Sequence, residues 1–270
     1  MSPFVYKLMV PLVALFAAGV FLCDWSAANI LIALTFWFLF GCVGVEITLH
    51  RYYSHRAFAL GPRVEKLLAA TSIYGAQHSP IWWRALHVRH HAEADSSRDI
   101  HSPRQGFWHA FLGWYWRLDP RSVSFRRCGD LVRDDFQRFI HTHYYKLFWA
   151  PAGALALWDW ELAYFVFVVP SLFSFMQTNL VNSFCHLPAA GYRLFDTPDR
   201  STNVPLVGYL SWGLGFHNNH HADPASAYLG RKWWELDVCR FVIPLLAKRG
   251  SINAAQKAGG SPGRATPRIR

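Results

Sequence analysis

Two short stretches of the chain carry three histidines at the same spacing. "ALHVRHHAEAD" holds His87, His90 and His91, and "GFHNNHHADP" holds His217, His220 and His221. On a helix, positions i, i+3 and i+4 share one face, with neighbouring Cβ atoms about 5–6 Å apart. Each triplet can therefore aim three imidazoles at one point, which is what a metal ion requires. "HRYYSH" adds His50 and His55, and "NSFCH" adds His186. With 14 histidines in 270 residues, one His-x-x-His-His is expected about 0.04 times per chain, and two by accident is roughly a one-in-a-thousand event. The other five, His78, His101, His109, His141 and His143, show no such grouping and read as hydrogen-bonded or headgroup-facing side chains.

Nine imidazoles are too many for one zinc ion, which closes at about four ligands, and no His-Glu-x-x-His motif is present. They suit two metal ions with four or five nitrogens each. Imidazole accepts zinc, copper, iron or nickel, so ligand type alone leaves the metal open. The Glu-x-x-His ligands of soluble di-iron bundles are absent. An all-nitrogen pair beside apolar segments points to iron and to oxygen chemistry on lipid-like substrates.

On a regular helix His50 and His55 stand about 140° apart. Their convergence requires the helix to end or unwind between them, so His50 is expected to close an apolar helix and His55 to follow it. A ligating imidazole normally donates its other N–H to a carboxylate or carbonyl. Glu46, one turn before His50 in an apolar stretch, is expected in that role, because a carboxylate there is costly unless it has a task. Asp95 and Asp223 are candidates for the same role or for helix caps. Asn182 lies one turn before His186 and is placed to hold a metal-bound water. Trp82, Trp83 and Trp212 read as interface aromatics.

The elements that must position these residues are helical and apolar. The chain is 52% hydrophobic and 16% charged, against about 25% charged in a soluble domain. The expected fold is an all-α integral membrane protein with four transmembrane helices in two hairpins, at residues 8–23, 30–49, 146–158 and 162–184. A helical cap over residues 50–145 and 186–250 carries the histidines. Residues 1–250 read as one domain and 251–270 as a disordered basic tail. Neither hairpin turn contains Lys or Arg, whereas 15 of the 27 basic residues fall between Arg51 and Lys146 and 11 follow the last span. The positive-inside bias thus places both termini and the histidines on the cytosolic side of a bacterial inner membrane or endoplasmic reticulum. The net charge of +10 then reads as a face resting on anionic membrane lipids, not as a nucleic-acid surface. Five scattered cysteines without a Cys-x-x-Cys pair suggest reduced, packed thiols.

With "HRYYSH", "HVRHH" and "HNNHH" in this order around a hydrophobic hairpin, the chain resembles the membrane fatty acyl desaturases, and most of all their stearoyl-CoA branch. The resemblance runs from about Gly44 to Leu246 and includes "TLHRYYSHRAF", "NSFCH", "GFHNNHHADPASAY" and "KWWELD". It implies an O2-dependent acyl desaturase with two iron ions. It also implies an acyl substrate linked to CoA, a carrier protein or a lipid, and a separate electron donor, a b-type cytochrome or a ferredoxin with its reductase. By motif, His50, His55, His87, His91 and His220 would hold one iron. His90, His186, His217 and His221 would hold the other, with Asn182 reaching it through water. The family's Arg-Asp pair before the second box is Ala85 and Leu86 here, its histidine in the Gly-Phe…Gly-Trp segment is Phe111, and its aromatic residue in the third box is Asn219. A hydroxylase of the same superfamily is the alternative reading. A non-enzymatic metal or haem protein is less consistent, because haem histidines would face each other inside the spans.

Overall fold

The computed structural model describes residues 2–253 and is helical, with no strand among the described residues beyond isolated bridges such as Tyr192 with Asn203. Residues 254–270, the greater part of the expected tail, lie outside the described residues. Nine helices are named here: α1 (Val5–Leu22) and α2 (Ala27–Ser54), α3 (Pro62–Ser72) and α4 (Pro80–Glu93), α5 (Asp135–Trp158), α6 (Trp160–Phe184), and the short α7 (Pro205–Leu210), α8 (His217–Ala222) and α9 (Cys239–Leu246). Helical turns and loops fill the stretch between α4 and α5.

Among the described residues three helices, α1, α2 and α6, are long and apolar enough to cross a membrane. The third expected span, residues 146–158, is not a separate helix. It is the second half of α5, whose first half carries Asp135, Arg138, His141 and His143, so the helix as a whole is amphiphilic along its length. Its far end is lipid-like all the same, with Leu157 93% and Trp158 80% exposed. The connections α1–α2 and α5–α6 meet at one end of the molecule. There Asp24 N donates to Glu161 Oε1 at 2.5 Å, and Trp25 packs edge-on against Phe165. At the opposite end Trp149 Nε1 donates to Lys7 O at 2.8 Å, so α5 runs beside α1 in the same direction.

Local sequence accounts for the helix boundaries. Ser26 accepts from Asn29 N at the start of α2, Asp134 from Gln137 N at α5, and Asp159 from Leu162 N at α6; each satisfies an amide that has no intrahelical partner. Ser79 does the same for α4 through Trp82 N, with Pro80 at the first helical position, where its fixed φ suits the helix.

The helix α2 departs from expectation. It does not end at His50 but continues to Ser54, and from Phe38 onward it is wound as a π-helix, each amide reaching the carbonyl five residues back. His55 N bonds to His50 O (3.2 Å) and Ser54 Oγ to Leu49 O (2.8 Å) in the same register. Side chains five apart then share a face, so His50 and His55 converge without the helix ending between them. Long π stretches are rare and concentrate at functional sites. Close packing supports this one: a Cβ on Gly44 would come 3.1 Å from Ser72 Cα of α3, and one on Gly41 2.6 Å from Gln177 Oε1 of α6. Arg51, next to His50, is fully buried and grips Asp237 with two hydrogen bonds of 2.8 and 2.9 Å, while its Nη1 also reaches Ala227 O. That clamp ties the segment after α8 to α2.

Candidate metal centre

The nine box histidines come from four places in the chain and meet in two adjoining nests. His50 and His55 come from α2 and its end, His87, His90 and His91 from α4, His186 from the end of α6, and the last three from α8. In the first nest the Nε2 atoms form a chain of near neighbours: His50 to His220 3.1 Å, His220 to His91 2.9 Å, His91 to His87 3.1 Å, and His87 to His55 2.7 Å. In the second, His186 lies 3.1 Å from His217, which lies 3.0 Å from His221. His90 offers a nitrogen within 4.8 Å of those three. The nests share an edge where the His91 and His221 rings stack at 4.5 Å.

These spacings test whether metal ions fit. Two nitrogens each about 2.1 Å from one ion stand about 3.0 Å apart at a right angle and about 3.4 Å apart at a tetrahedral one. The observed 2.7–3.1 Å therefore suits ligands set at right angles around an ion better than a four-coordinate tetrahedral site. Five nitrogens in one nest are also more than a structural zinc takes. The histidines fit two such ions.

The electrostatics agree. Burial, reinforced by neighbouring imidazoles, pushes His87, His91, His217 and His220 well below the ordinary histidine range. They are neutral near pH 7, which is the ligating form.

The back of each nest is lined with carboxylates. Asp95 Oδ2 lies 2.9 Å from His186 Nδ1, Asp99 Oδ1 3.1 Å from His90 Nδ1, and Asp199 Oδ2 3.0 Å from His221 Nδ1. Glu46 Oε2 approaches His50 Nδ1 at 3.3 Å without hydrogen-bond alignment. Burial opposes ionisation of Asp99 and Asp199, yet the facing imidazoles hold both carboxyls below the usual range. A carboxylate on Nδ1 fixes the tautomer and leaves Nε2 free toward the nest. Asp199→Asn is accordingly expected to weaken metal binding to the second nest about 10–100-fold, measured by competition with a chelator of known affinity; unchanged retention would show that Asp199 orients nothing.

Not every expected outer residue faces a histidine. Asp223 points to Arg231 Nη2 at 3.2 Å, and the carboxylate that meets His221 is Asp199. Asn182 lines a narrow cavity beside His87, together with Trp83, His101 and Thr178. Trp82 and Trp83 are walls of that cavity rather than interface aromatics, and Trp212 is packed on Trp37 with ring centres 4.7 Å apart.

Asp99, Asp199 and His101 were not singled out by spacing. Asp99 and Asp199 act across loops, nine residues from His90 and 22 from His221. His101 stacks on His90 at 4.4 Å and joins His90 and Asp99 in a third cluster. Nothing in their immediate sequence sets the two aspartates apart, since Glu93 and Asp95 lie near Asp99 and Asp196 lies near Asp199. The asparagines inside the third box also do specific work. Asn218 Oδ1 accepts from Leu194 N and Phe195 N, and Asn219 bonds Asn203, Leu229 O and Glu235. They hold α8 at the angle that presents its histidines.

Comparison with known proteins agrees with this geometry. The family model for fatty acid desaturases matches residues 24–248. An acyl-CoA 5-desaturase of Anemone leveillei is 32% identical over 84% of this chain and 71% of its own length. An sn-2 palmitoyl-lipid 9-desaturase of Nostoc sp. (strain 36) is 32% identical over 88% and 84%. An sn-1 stearoyl-lipid 9-desaturase of Anabaena variabilis is 32% identical over 83% and 81%. With histidine nests on apolar helices and a family match over most of its length, the chain belongs to the fatty acid desaturase family, oxidoreductases that act on acyl chains.

Proposed function

We propose that the chain is an O2-dependent fatty acyl desaturase that works at two histidine-bound iron ions. The observation that carries the reading is the pair of adjoining nests with a cavity at their edge. His50, His55, His87, His91 and His220 would hold one iron, and His90, His186, His217 and His221 the other, with Asn182 reaching the second through water. Such a pair supplies the activation of O2 and the removal of two hydrogens from an acyl chain, with electrons from a separate b-type cytochrome or ferredoxin.

The protein's own part is positional. Asp95, Asp99 and Asp199 hold three imidazoles at their Nδ1 atoms, and Glu46 stands behind His50. Trp83, Leu86, Trp114 and Tyr115 line the cavity beside His87 and would lay an acyl chain past the nests while excluding water. Ala85 and Leu86 are both 7% exposed and apolar, and the neighbouring Arg84 is engaged with Asp130 at 2.8 Å, so these two positions offer no charge to a carrier's headgroup. That favours an acyl chain presented by a membrane lipid over one carried by CoA.

The topology belongs to the same reading. Both hairpin turns sit at one end, and the second half of α5 lies beside α1. Taken with the basic residues of the cap, this supports four crossings with the nests and both termini at the cytosolic face.

Expression in a host lacking the activity, followed by gas chromatography and mass spectrometry of the acyl chains, tests the proposal. New chains two mass units lighter are expected. Chains heavier by one oxygen would instead assign the hydroxylase activity, and unchanged chains despite folded, iron-loaded protein would remove the reading.

A further inference from the structure

We propose that α7 and α9, which follow the last span and read from sequence as part of the cap, lie within the inner leaflet of the membrane and touch lipid. The inference rests on the reading that α2 crosses the bilayer.

Depth is the first argument. The outer end of α2, at Ala27, is ringed by exposed Trp25, Trp158 and Trp160, the aromatic belt of an interface. At about 1.5 Å per residue Trp37 lies about 15 Å further in, halfway through a hydrocarbon layer about 30 Å thick. Trp212, two residues beyond α7, packs against Trp37 and Phe38 with ring centres at 4.7 and 5.7 Å. The helix α9 packs further in, against the part of α2 that lies five to ten residues past Trp37. Cys239 Sγ is 3.7 Å from Cys42 Sγ, and Ile243 shares a buried cluster with Val43 and Ile47.

The outward surface is the second. Leu206 is 69% exposed, Phe241 67% and Leu245 83%. These large apolar side chains are exposed, as Leu31 and Leu34 of α2 are, instead of covering a core. Lys248 and Arg249 lie just past α9, after Ala247, placed for anionic headgroups.

Backbone satisfaction is the third. Irregular backbone survives at membrane depth only when its polar groups are bonded within the protein. Between α7 and α8 four of the six amides are: Gly213 N donates to Gly208 O, Leu214 N to Ser211 O, Gly215 N to Ser211 Oγ and Phe216 N to Gly213 O. Trp212 Nε1 donates to Gln177 Oε1 of α6 at 3.1 Å. The turn needs Gly213 at φ +114°, where a Cβ would also strike Asp237.

The test uses the full chain in nanodiscs with Cys23→Ser, the four other cysteines being buried. Single cysteines replace Leu206, Leu245, Leu31 on the exposed side of α2, and Ser97 beside the nests, and each carries a nitroxide. Collision rates with O2 and with a water-soluble nickel chelate are then compared. Labels at 206 and 245 are expected to match 31, exposed to O2 and shielded severalfold from nickel, with 97 showing the reverse. Nickel access at 206 and 245 with 31 still lipid-like overturns the proposal alone. Shielding of 206 and 245 from both reagents also overturns it, assigning the face to a protein partner or second copy. Nickel access at 31 overturns the spanning reading beneath it.

Discussion

Replacing His220 with alanine is expected to abolish double-bond formation, with a loss greater than the roughly hundredfold that follows removal of an outer carboxylate. His220 is fully buried, and its Nε2 stands between those of His50 and His91 at 3.1 and 2.9 Å. No neighbouring side chain can take its place, because each ring around it already presents its own nitrogen to the nest. Product is measured by gas chromatography against the amount of purified protein, and metal by elemental analysis. The unaltered chain is expected to carry about two irons, and His220→Ala to fall toward one while remaining monodisperse in detergent. Double bonds that persist at an undiminished rate would mean that the nests are not where the oxidation happens. Stoichiometric zinc in an active preparation would contradict the choice of metal.

The second large effect concerns stability. Arg51 and Asp237 are 1% exposed at their side chains and form a two-pronged pair. Asp237→Ala leaves a buried guanidinium without its counter-charge, a loss of about 3–5 kcal/mol. For a chain of this size that corresponds to a midpoint lower by roughly 10 °C, read from thermal unfolding in detergent. The double replacement Arg51→Met with Asp237→Leu removes both charges and is expected to recover a large part of the loss, since well-packed apolar pairs often replace buried ion pairs without penalty. A double variant as unstable as Asp237→Ala would show that the damage lies in Ala227 and Leu229, whose backbone the pair also holds, and not in the stranded charge.

Residues that repeat at helical spacing were the legible ones. The triplets of α4 and α8 announced their common target because i, i+3 and i+4 is a local rule, and the chain segments carrying them reach the same place. Spans α1, α2 and α6 were legible from apolar runs, to within a few residues at each end. What composition could not show was the continuity of α5, where a polar half and an apolar half form one helix across Pro151. Winding was equally hidden, since a π-helix has no residue signature comparable to a cap or a turn. Asp99 and Asp199 were missed for a different reason. Their partners are fixed by loops that fold back over the nests, and nothing in the nearest four residues records that return. Asp223 follows the third box by two residues and meets Arg231, since proximity in sequence past a helix end carries little directional information.

The coarse coil of α2 sets how tolerant this protein is to length changes. Residues above Phe38 follow one angular step and those below it another, so the lower half acts as a gear whose teeth are Glu46, His50 and His55. Adding or deleting one residue there would rotate the lower teeth away from α4 and α8 while leaving the upper thread seated. Related chains that drift in length should accordingly absorb it in loops, and engineered chimaeras should be joined outside Phe38–Ser54.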